Sequence, residues 1–297
     1  MTILPSALTR RLAAVPAGLR GMAYMLGSST TISGMNGIVT GLSGSLHAFE
    51  ITFFRQVLGS VFMAAVFLPR GLEVLHTRRI GMHILRALLN VVAMATYFIA
   101  LGLEPMANVV ALALAAPLFA SLGAIVILHE RMTPRRWMAL ALGLIGSLVI
   151  LRPGFQTISY GMVMVLLSNV AWSIALVDIK MLARTESSAT ITFYAAMLQW
   201  PLALVVAVFF WTWPTLEQWG LLCVIGIFGT LAQLCLSQAF READATLVLP
   251  LDFTKLIWAS LIGYFVFDQV PSVWVWVGGV IVFSGVFYNA LQERGTP

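Results

Sequence analysis

Charge is what this 297-residue chain has least of: Asp, Glu, Lys and Arg make up 10% of it, while 60% is hydrophobic and the mean hydropathy is +0.94. Soluble domains carry roughly a quarter of their residues as charges, so a soluble globule is excluded. Long polar loops are missing too, which leaves nothing from which to build a soluble domain beside the apolar runs. Ten-residue alternations of apolar and polar residues are absent, which excludes a β-barrel. Cysteine is limited to Cys223 and Cys235. Twelve residues apart on one apolar stretch, they stand about 18 Å from each other along a helix, beyond the reach of a disulfide. The four histidines are scattered at positions 47, 76, 83 and 129. With no His-Glu-x-x-His, no Gly-x-Ser-x-Gly and no carboxylate pair on facing stretches, the pattern speaks against an intramembrane enzyme, and no metal or other cofactor is expected. No Walker-type phosphate loop occurs, which excludes a nucleotide-driven pump within this chain. No ring of repeated polar residues points to a channel.

What is present is a series of ten apolar stretches of about 20 residues, each long enough to cross about 30 Å of hydrocarbon. They run over 20–41, 46–69, 80–102, 105–128, 134–152, 158–180, 187–211, 217–240, 246–267 and 271–292. The expected fold is an all-α membrane protein of ten transmembrane helices. The net charge of +5 is a topology signal, not a nucleic-acid footprint: with the N-terminus in the cytoplasm, 13 of the 17 Lys and Arg fall on the inner side. They are Arg10, Arg11, Arg20, Arg70, Arg78, Arg79, Arg131, Arg135, Arg136, Lys180, Arg184, Arg241 and Arg294, against Arg152 alone outside and Arg55, Arg86 and Lys255 within spans. Both termini are then cytoplasmic, with tails at 1–19 and 293–297. Trp211, Trp213, Trp219 and Trp274 fall at outer span ends, where amphipathic rings favour the headgroup level. Thr9-Arg10-Arg11-Leu12 has the look of an export signal, but the apolar run behind it is full length and nine more follow, so the arginines are read as an inside anchor. The expected setting is the inner membrane, with the lipid bilayer as partner and no nucleic acid.

The two halves of the chain repeat each other. Gly21-Met22, Leu26, Ser28 and Ile51-Thr52-Phe53 align at an offset of 140 with Gly161-Met162, Leu166, Ser168 and Ile191-Thr192-Phe193. At an offset of 138, Glu104, Ala107, Val110 and Leu118 align with Glu242, Ala245, Val248 and Leu256, and Glu130 with Asp268. A nearly constant offset across each half is the mark of duplication. Each unit, 20–152 and 153–292, holds five spans, an odd number, so the second unit enters the membrane from the opposite side. Inverted repeats of this kind place a substrate cavity between the halves at mid-bilayer and move by alternating access.

Two five-helix repeats, Phe54-Arg55 in the second span, a small-residue fourth span running from Ala115-Ala116-Pro117 to Glu130-Arg131, and Pro250-Leu251-Asp252-Phe253 with Gly263-Tyr264 and Phe267-Asp268 in the ninth resemble the drug/metabolite transporter superfamily, specifically its ten-span members with EamA domains. The likeness covers essentially the whole chain. Family members commonly end the ninth span in a Gly-Glu pair; here Phe267-Asp268 keeps the acid and loses the glycine. The resemblance implies a secondary carrier, most often an exporter of amino acids or related metabolites, with a cavity lined by spans one, three, four, six, eight and nine.

Polar residues inside the spans mark where a solute could be held, because a lipid-facing polar stripe is costly. In span three His83, Arg86, Asn90 and Tyr97 are spaced 3, 4 and 7 residues apart and share one helix face. For His83 and Arg86 the alternative is snorkelling to the cytoplasmic interface; for Asn90 and Tyr97 it is a hydrogen bond between helices. Span one presents Ser29, Ser33, Asn36 and Thr40 on one face, its serines suited to close packing and Asn36 to a ligand. Span six carries Ser168, Asn169 and a mid-membrane Trp172, whose ring can pack or contact an apolar group or a cation. In span eight Thr230, Gln233 and Ser237 share a face, and Gln233 can both donate and accept, either to an amino-acid head group or across helices.

Asp252 and Lys255 in span nine are the strongest chemical signal, standing about 9 and 14 Å into the span by helical rise. An ammonium near the midplane is rare and costs about 2.5–3.5 kcal/mol by insertion scales. Three residues apart, the two can pair with each other. Either they brace the helix below Pro250, or Lys255 receives a substrate carboxylate and Asp252 takes up a proton during the cycle. The candidate substrate-binding set is Asn36, Arg86, Asn90, Tyr97, Asn169, Trp172, Gln233, Asp252, Lys255 and Trp258, with no catalytic and no metal-binding residue. Arg55, mid-span in span two, matches an Arg typical of the family without revealing a role. Asp178 beside Lys180 is expected to form an interfacial ion pair, and Glu50 with His47, Glu104 and Glu217 to be solvated at the outer face. Pro117, Pro201 and Pro250 lie inside spans and mark flexing points.

The expected function is export of amino acids by a monomeric secondary transporter, with protons as a candidate coupling ion. Transport of drug-like or nucleoside-type compounds is the alternative. Direction, coupling and the exact substrate are not written in any residue.

Overall fold

In the computed structural model, residues 16–67, 76–113, 134–151 and 159–269 are described, with isolated positions between 116 and 129 and between 273 and 284. Pro117, Glu130, Arg131, the two tail arginine groups Arg10-Arg11 and Arg294, Arg70, Arg152 and most of the tenth stretch lie outside the described residues. The described secondary structure is helical throughout. The helices are α1 (Ala17–Leu42), α2 (Ala48–Phe67), α3 (Ile80–Leu103), α4 (Met106–Ala113), α5 (Pro134–Leu151), α6 (Tyr160–Ala183), α7 (Ser188–Ala207), α8 (Leu216–Glu242) and α9 (Thr254–Phe267). A 3-10 turn, Val208–Phe210, prolongs α7; a single helical turn, Ala245–Val248, and a 3-10 segment, Leu249–Phe253, lead into α9.

Among the described residues six segments are long and apolar enough to cross a bilayer: 48–65, 80–103, 160–183, 188–210, 216–242 and 249–267. Helix α1 is longer than most of them at 26 residues, but its Gly27–Ser33 run of Gly, Ser and Thr lowers its hydropathy, which is why length and composition alone pass it over. Local chemistry fixes several starts. Ser159 and Ser187 accept hydrogen bonds from the Met162 and Thr190 amides, capping α6 and α7. Thr215 and Gln218 form a reciprocal capping box on α8. In each case a side-chain oxygen satisfies an amide that the helix itself leaves unpaired. Pro201 sits on the exposed side of α7, and the helix continues through it.

The packing is symmetric under exchange of the halves. Helix α1 lies along α8 as α3 lies along α6; α2 packs on α7; α9 packs on α1 as α4 packs on α6; and α4 meets α9. The repeat glycines make the close approaches. An ideal Cβ on Gly21 would stand 2.6 Å from the Ala243 Cβ, and one on Gly161 would stand 2.5 Å from the Glu104 Cγ. Met22 at the start of α1 shares an apolar cluster with Leu182 and Ala183 at the end of α6, so these two equivalent helices run in opposite directions.

Two apolar clusters cap the bundle. One gathers Met22, Met25, Leu182, Ala239, Phe240 and Leu249 at the end where α1 begins. The other gathers Val39, Leu42, Phe98, Met106, Leu222 and Phe253 toward the end where α1 finishes. Between them runs a layer of buried polar side chains that includes Ser29, Asn36, Arg55, Asn90, Asn169, Gln233 and Asp252.

Candidate functional site: a central cavity

The polar layer encloses a cavity with ≈ 840 Å³ of empty space, its open mouth included. Asn36 reaches it from α1, Arg55 from α2, Asn90 and Tyr97 from α3, Asn169 and Trp172 from α6, Gln233 from α8, and Asp252 with Lys255 from the broken ninth segment. Eight of the ten residues expected to bind substrate thus face one space. Ile32, Met35, Ala93, Phe98, Val110 and Leu236 make its walls apolar between the polar groups.

Hydrogen bonds between helices hold these side chains in place. Asn36 Nδ2 donates to Tyr97 Oη at 3.0 Å, tying α1 to α3. Asn169 Nδ2 donates to the Leu112 carbonyl at 2.9 Å, and Ser168 Oγ to the Ala93 carbonyl at 2.7 Å, fixing α6 against α4 and α3. Ser28 Oγ donates to the Ala232 carbonyl at 2.9 Å, fixing α1 to α8. Two amide oxygens on the cavity wall, Asn36 Oδ1 and Asn90 Oδ1, are buried and accept no hydrogen bond among the described residues. Buried acceptors are normally paired, so these two are open to a donor brought by a solute.

Asp252 and Lys255 form the ion pair that their spacing allows. Lys255 Nζ lies 2.6 Å from Asp252 Oδ1 and 2.7 Å from Oδ2, and Ser29 Oγ donates to Oδ1 at 3.4 Å. The pair stands where 3-10 geometry gives way to α9, with Pro250 occupying an early position that needs no amide donor. Lys255 has its charge matched and still faces the cavity.

Two expected site residues stand apart from the cavity lining. Arg86 is fully buried behind Gln233: its Nη2 donates to Gln233 Oε1 at 2.8 Å and its Nη1 to the Ile191 carbonyl at 2.8 Å. That replaces snorkelling, since neither Arg86 nor His83 reaches solvent; His83 Nε2 meets Glu186 Oε2 at 2.7 Å. Trp258 is 38% exposed on the outside of the bundle. Three residues past Lys255 on α9, it is turned about 60° from it around the helix axis, and its side chain lies on the bundle surface.

Arg55 is the lining residue that sequence spacing did not select. It lies on α2, outside the spans expected to form the cavity, and its signal was a guanidinium in mid-span, a position that is functional by default. Its Nη1 donates to Gln56 Oε1 at 3.0 Å and contacts Met94 Sδ at 3.3 Å, and its Nε contacts Met35 Sδ at 3.2 Å. Gln56 in turn bonds Gln199 of α7.

The peripheral acids divide. Glu217 is exposed, but Glu50, expected to be solvated, is fully buried: it accepts from the Thr212 amide, from Thr212 Oγ1 at 3.3 Å and from the His47 amide at 3.0 Å. Glu104 is half-buried and accepts from Ser159. Asp178 is buried, and Lys180 Nζ donates to the Phe240 and Ala243 carbonyls at 2.8 and 2.5 Å, neutralising the end of α8 as a cation at a helix C-terminus does. Among the described residues no three His, Cys, Asp or Glu side chains come together as a metal site.

The sequence profile of the EamA-like transporter family matches this chain twice, over residues 19–152 and 159–291. Similar proteins include an S-adenosylmethionine uptake transporter of Rickettsia prowazekii, 28% identical over 277 residues, 93% of this chain and 94% of the relative. A riboflavin transporter of Brucella anthropi is 31% identical over 252 residues, 83% and 89% of the two chains. A pseudopaline exporter of Pseudomonas aeruginosa is 28% identical over 277 residues, 90% and 95% of the two. A solved crystal structure shares the fold with a TM-score of 0.74 at 23% identity, covering 94% of this chain and 97% of the other.

Proposed function

This chain belongs to the EamA-like transporter family, and from that premise we propose that it exports amino-acid-type metabolites through the central cavity by alternating access. It is a multi-pass inner-membrane transporter, not an enzyme. The finer reading is ten spans with both termini cytoplasmic, built as two inverted five-helix units over 20–152 and 153–292, working as a monomer with Asp252 as the carboxylate for a proton route.

The observation that carries it is the cavity itself: polar groups from α1, α2, α3, α6, α8 and the broken ninth segment converge on one space between two apolar clusters. Opening one cluster while the other stays packed exposes the cavity to one side at a time. Exchange symmetry of the helix contacts supports this, because the same chain can then adopt two arrangements that mirror each other across the bilayer. Amide donors and acceptors, a cation and an aromatic ring suit a zwitterion with a variable side chain.

A second reading follows from Trp172 and Tyr97 on the cavity wall: a ring-bearing metabolite of the class that the relatives' names give, S-adenosylmethionine or riboflavin. S-adenosylmethionine has both an amino-acid head and an adenine ring, and so belongs to both readings; riboflavin has no such head. Counterflow in proteoliposomes with labelled amino acids, S-adenosylmethionine and riboflavin, with and without a proton gradient, separates them. Exchange of compounds with an amino-acid head is expected. Exchange of riboflavin alone would overturn the amino-acid reading, and no exchange of any would overturn both.

A further inference from the structure

Of the two cations on the cavity wall, Lys255 is matched by both oxygens of Asp252, whereas Arg55 has only neutral partners among the described residues: one amide oxygen and two thioethers. Thioether sulfur is a weak acceptor. Arg55 is 3% exposed. A buried guanidinium without an anion is costly, and a solute anion would relieve that cost.

The site is built to hold this side chain. An ideal Cβ at Gly229 of α8 would stand 2.4 Å from Arg55 Nε and 2.8 Å from both Cζ and Nη2, so the guanidinium lies against the α8 backbone and only glycine leaves it room. Its thioether partners place it beside the open acceptors: Met35 precedes Asn36, and Met94 is one turn from Asn90. The result is a donor fork and two amide oxygens without a partner among the described residues, Asn36 Oδ1 and Asn90 Oδ1, lining one cavity.

We propose that Arg55, seated on Gly229, is the carboxylate receptor of the cavity, with Asn36 and Asn90 accepting from the ammonium of the same α-amino acid head. Lys255 is held by Asp252 and does not receive the carboxylate. This deepens the transporter reading and rests on it. The fork of a guanidinium matches a carboxylate in two parallel hydrogen bonds, which a lysine ammonium cannot reproduce.

The test uses the full-length protein in proteoliposomes and a panel of the twenty amino acids, their carboxamides and S-adenosylmethionine, read as counterflow. Wild type is expected to favour each acid over its amide by about tenfold or more, a modest ratio beside what a buried polar site can impose. Arg55→Gln should bring that ratio close to one, and Arg55→Lys should leave it partial. Gly229→Ala, which displaces the guanidinium from the other helix, should lower it without touching Arg55. Lys255→Gln should keep it whatever happens to the rate. Because the ratio is read and not the rate, reduced amounts of folded protein do not imitate the effect. If Arg55→Gln fails to fold, Arg55→Lys and Gly229→Ala carry the same readout, and a wild-type ratio in both overturns the proposal. Exchange by wild type without preference for the acid also overturns it while leaving the transporter reading standing. No exchange of any panel member by wild type removes the amino-acid reading and this site with it.

Discussion

Arg20 at the start of α1 donates to Glu242 at the end of α8, through Nη2 at 2.6 Å and Nε at 3.0 Å. The repeat counterpart of Glu242 in the first half, Glu104, is held by Ser159 immediately ahead of α6. Each half therefore contributes one acid that ties the start of its partner's first helix to the end of its own third, and the two ties sit at opposite ends of the bundle. With side chains 26% and 19% exposed, the Arg20–Glu242 pair should show a coupling of about 0.5–1 kcal/mol. A double-mutant cycle of Arg20→Ala and Glu242→Ala, followed by thermal unfolding in detergent, measures it; a value near zero would contradict the tie.

The glycines beside those ties differ in what they press on. At Gly21 an added methyl would meet the Ala243 Cβ at 2.6 Å and the Ala239 carbonyl at 3.2 Å, neither of which can swing away. At Gly161 it would meet the Glu104 side chain, which can. Gly21→Ala should cost about 1–3 kcal/mol by overpacking and Gly161→Ala less than about 1 kcal/mol, read from unfolding midpoints of the two variants. Equal costs would argue against the close α1–α8 approach.

Much of this was legible in the sequence because helical periodicity and span length are local properties. The third stretch, expected at 80–102, is the helix Ile80–Leu103, and the step of seven from Asn90 to Tyr97 placed both on the cavity wall. The pairing of Asp252 with Lys255 followed from their spacing. Other features depend on what a neighbouring helix supplies. Glu50 is buried because Thr212, 162 residues away, donates to it, and no local pattern announces that. Arg55 enters the cavity because Gly229 leaves space for it.

Removing Lys255 alone strands the Asp252 carboxylate, which is 5% exposed. Lys255→Met is expected to destabilise by about 3 kcal/mol, and Asp252→Leu added to it should restore most of that loss, as for other buried pairs replaced by apolar residues. Chemical denaturation of the two variants measures both numbers. A double variant less stable than the single one would contradict the bracing role of the pair.

Glu50 closes the start of α2 onto the segment after α7. Glu50→Ala leaves the Thr212 and His47 amides without their acceptor and should cost about 2 kcal/mol, in the range for a buried hydrogen bond to a charged group. Glu50→Gln, which keeps an acceptor oxygen, should lose less. Thermal unfolding in detergent ranks the two, and an unchanged Glu50→Ala would show that the carboxylate is solvated after all.

The central claim, that one cavity is exposed to each side of the membrane in turn, is tested most directly by thiol accessibility at Ile32, an apolar residue of the cavity wall. With Cys223 and Cys235 replaced by serine, Ile32→Cys is exposed to a membrane-impermeant maleimide in right-side-out and in inside-out vesicles, with Trp213→Cys, 75% exposed at the expected outer face, reporting sidedness. Alternating access predicts labelling of Ile32→Cys from both sides, slowed by a saturating amino acid that exchanges in counterflow, while Trp213→Cys reacts from the outside alone. Labelling of Ile32→Cys from one side only, or labelling that no exchanging substrate slows, would contradict it.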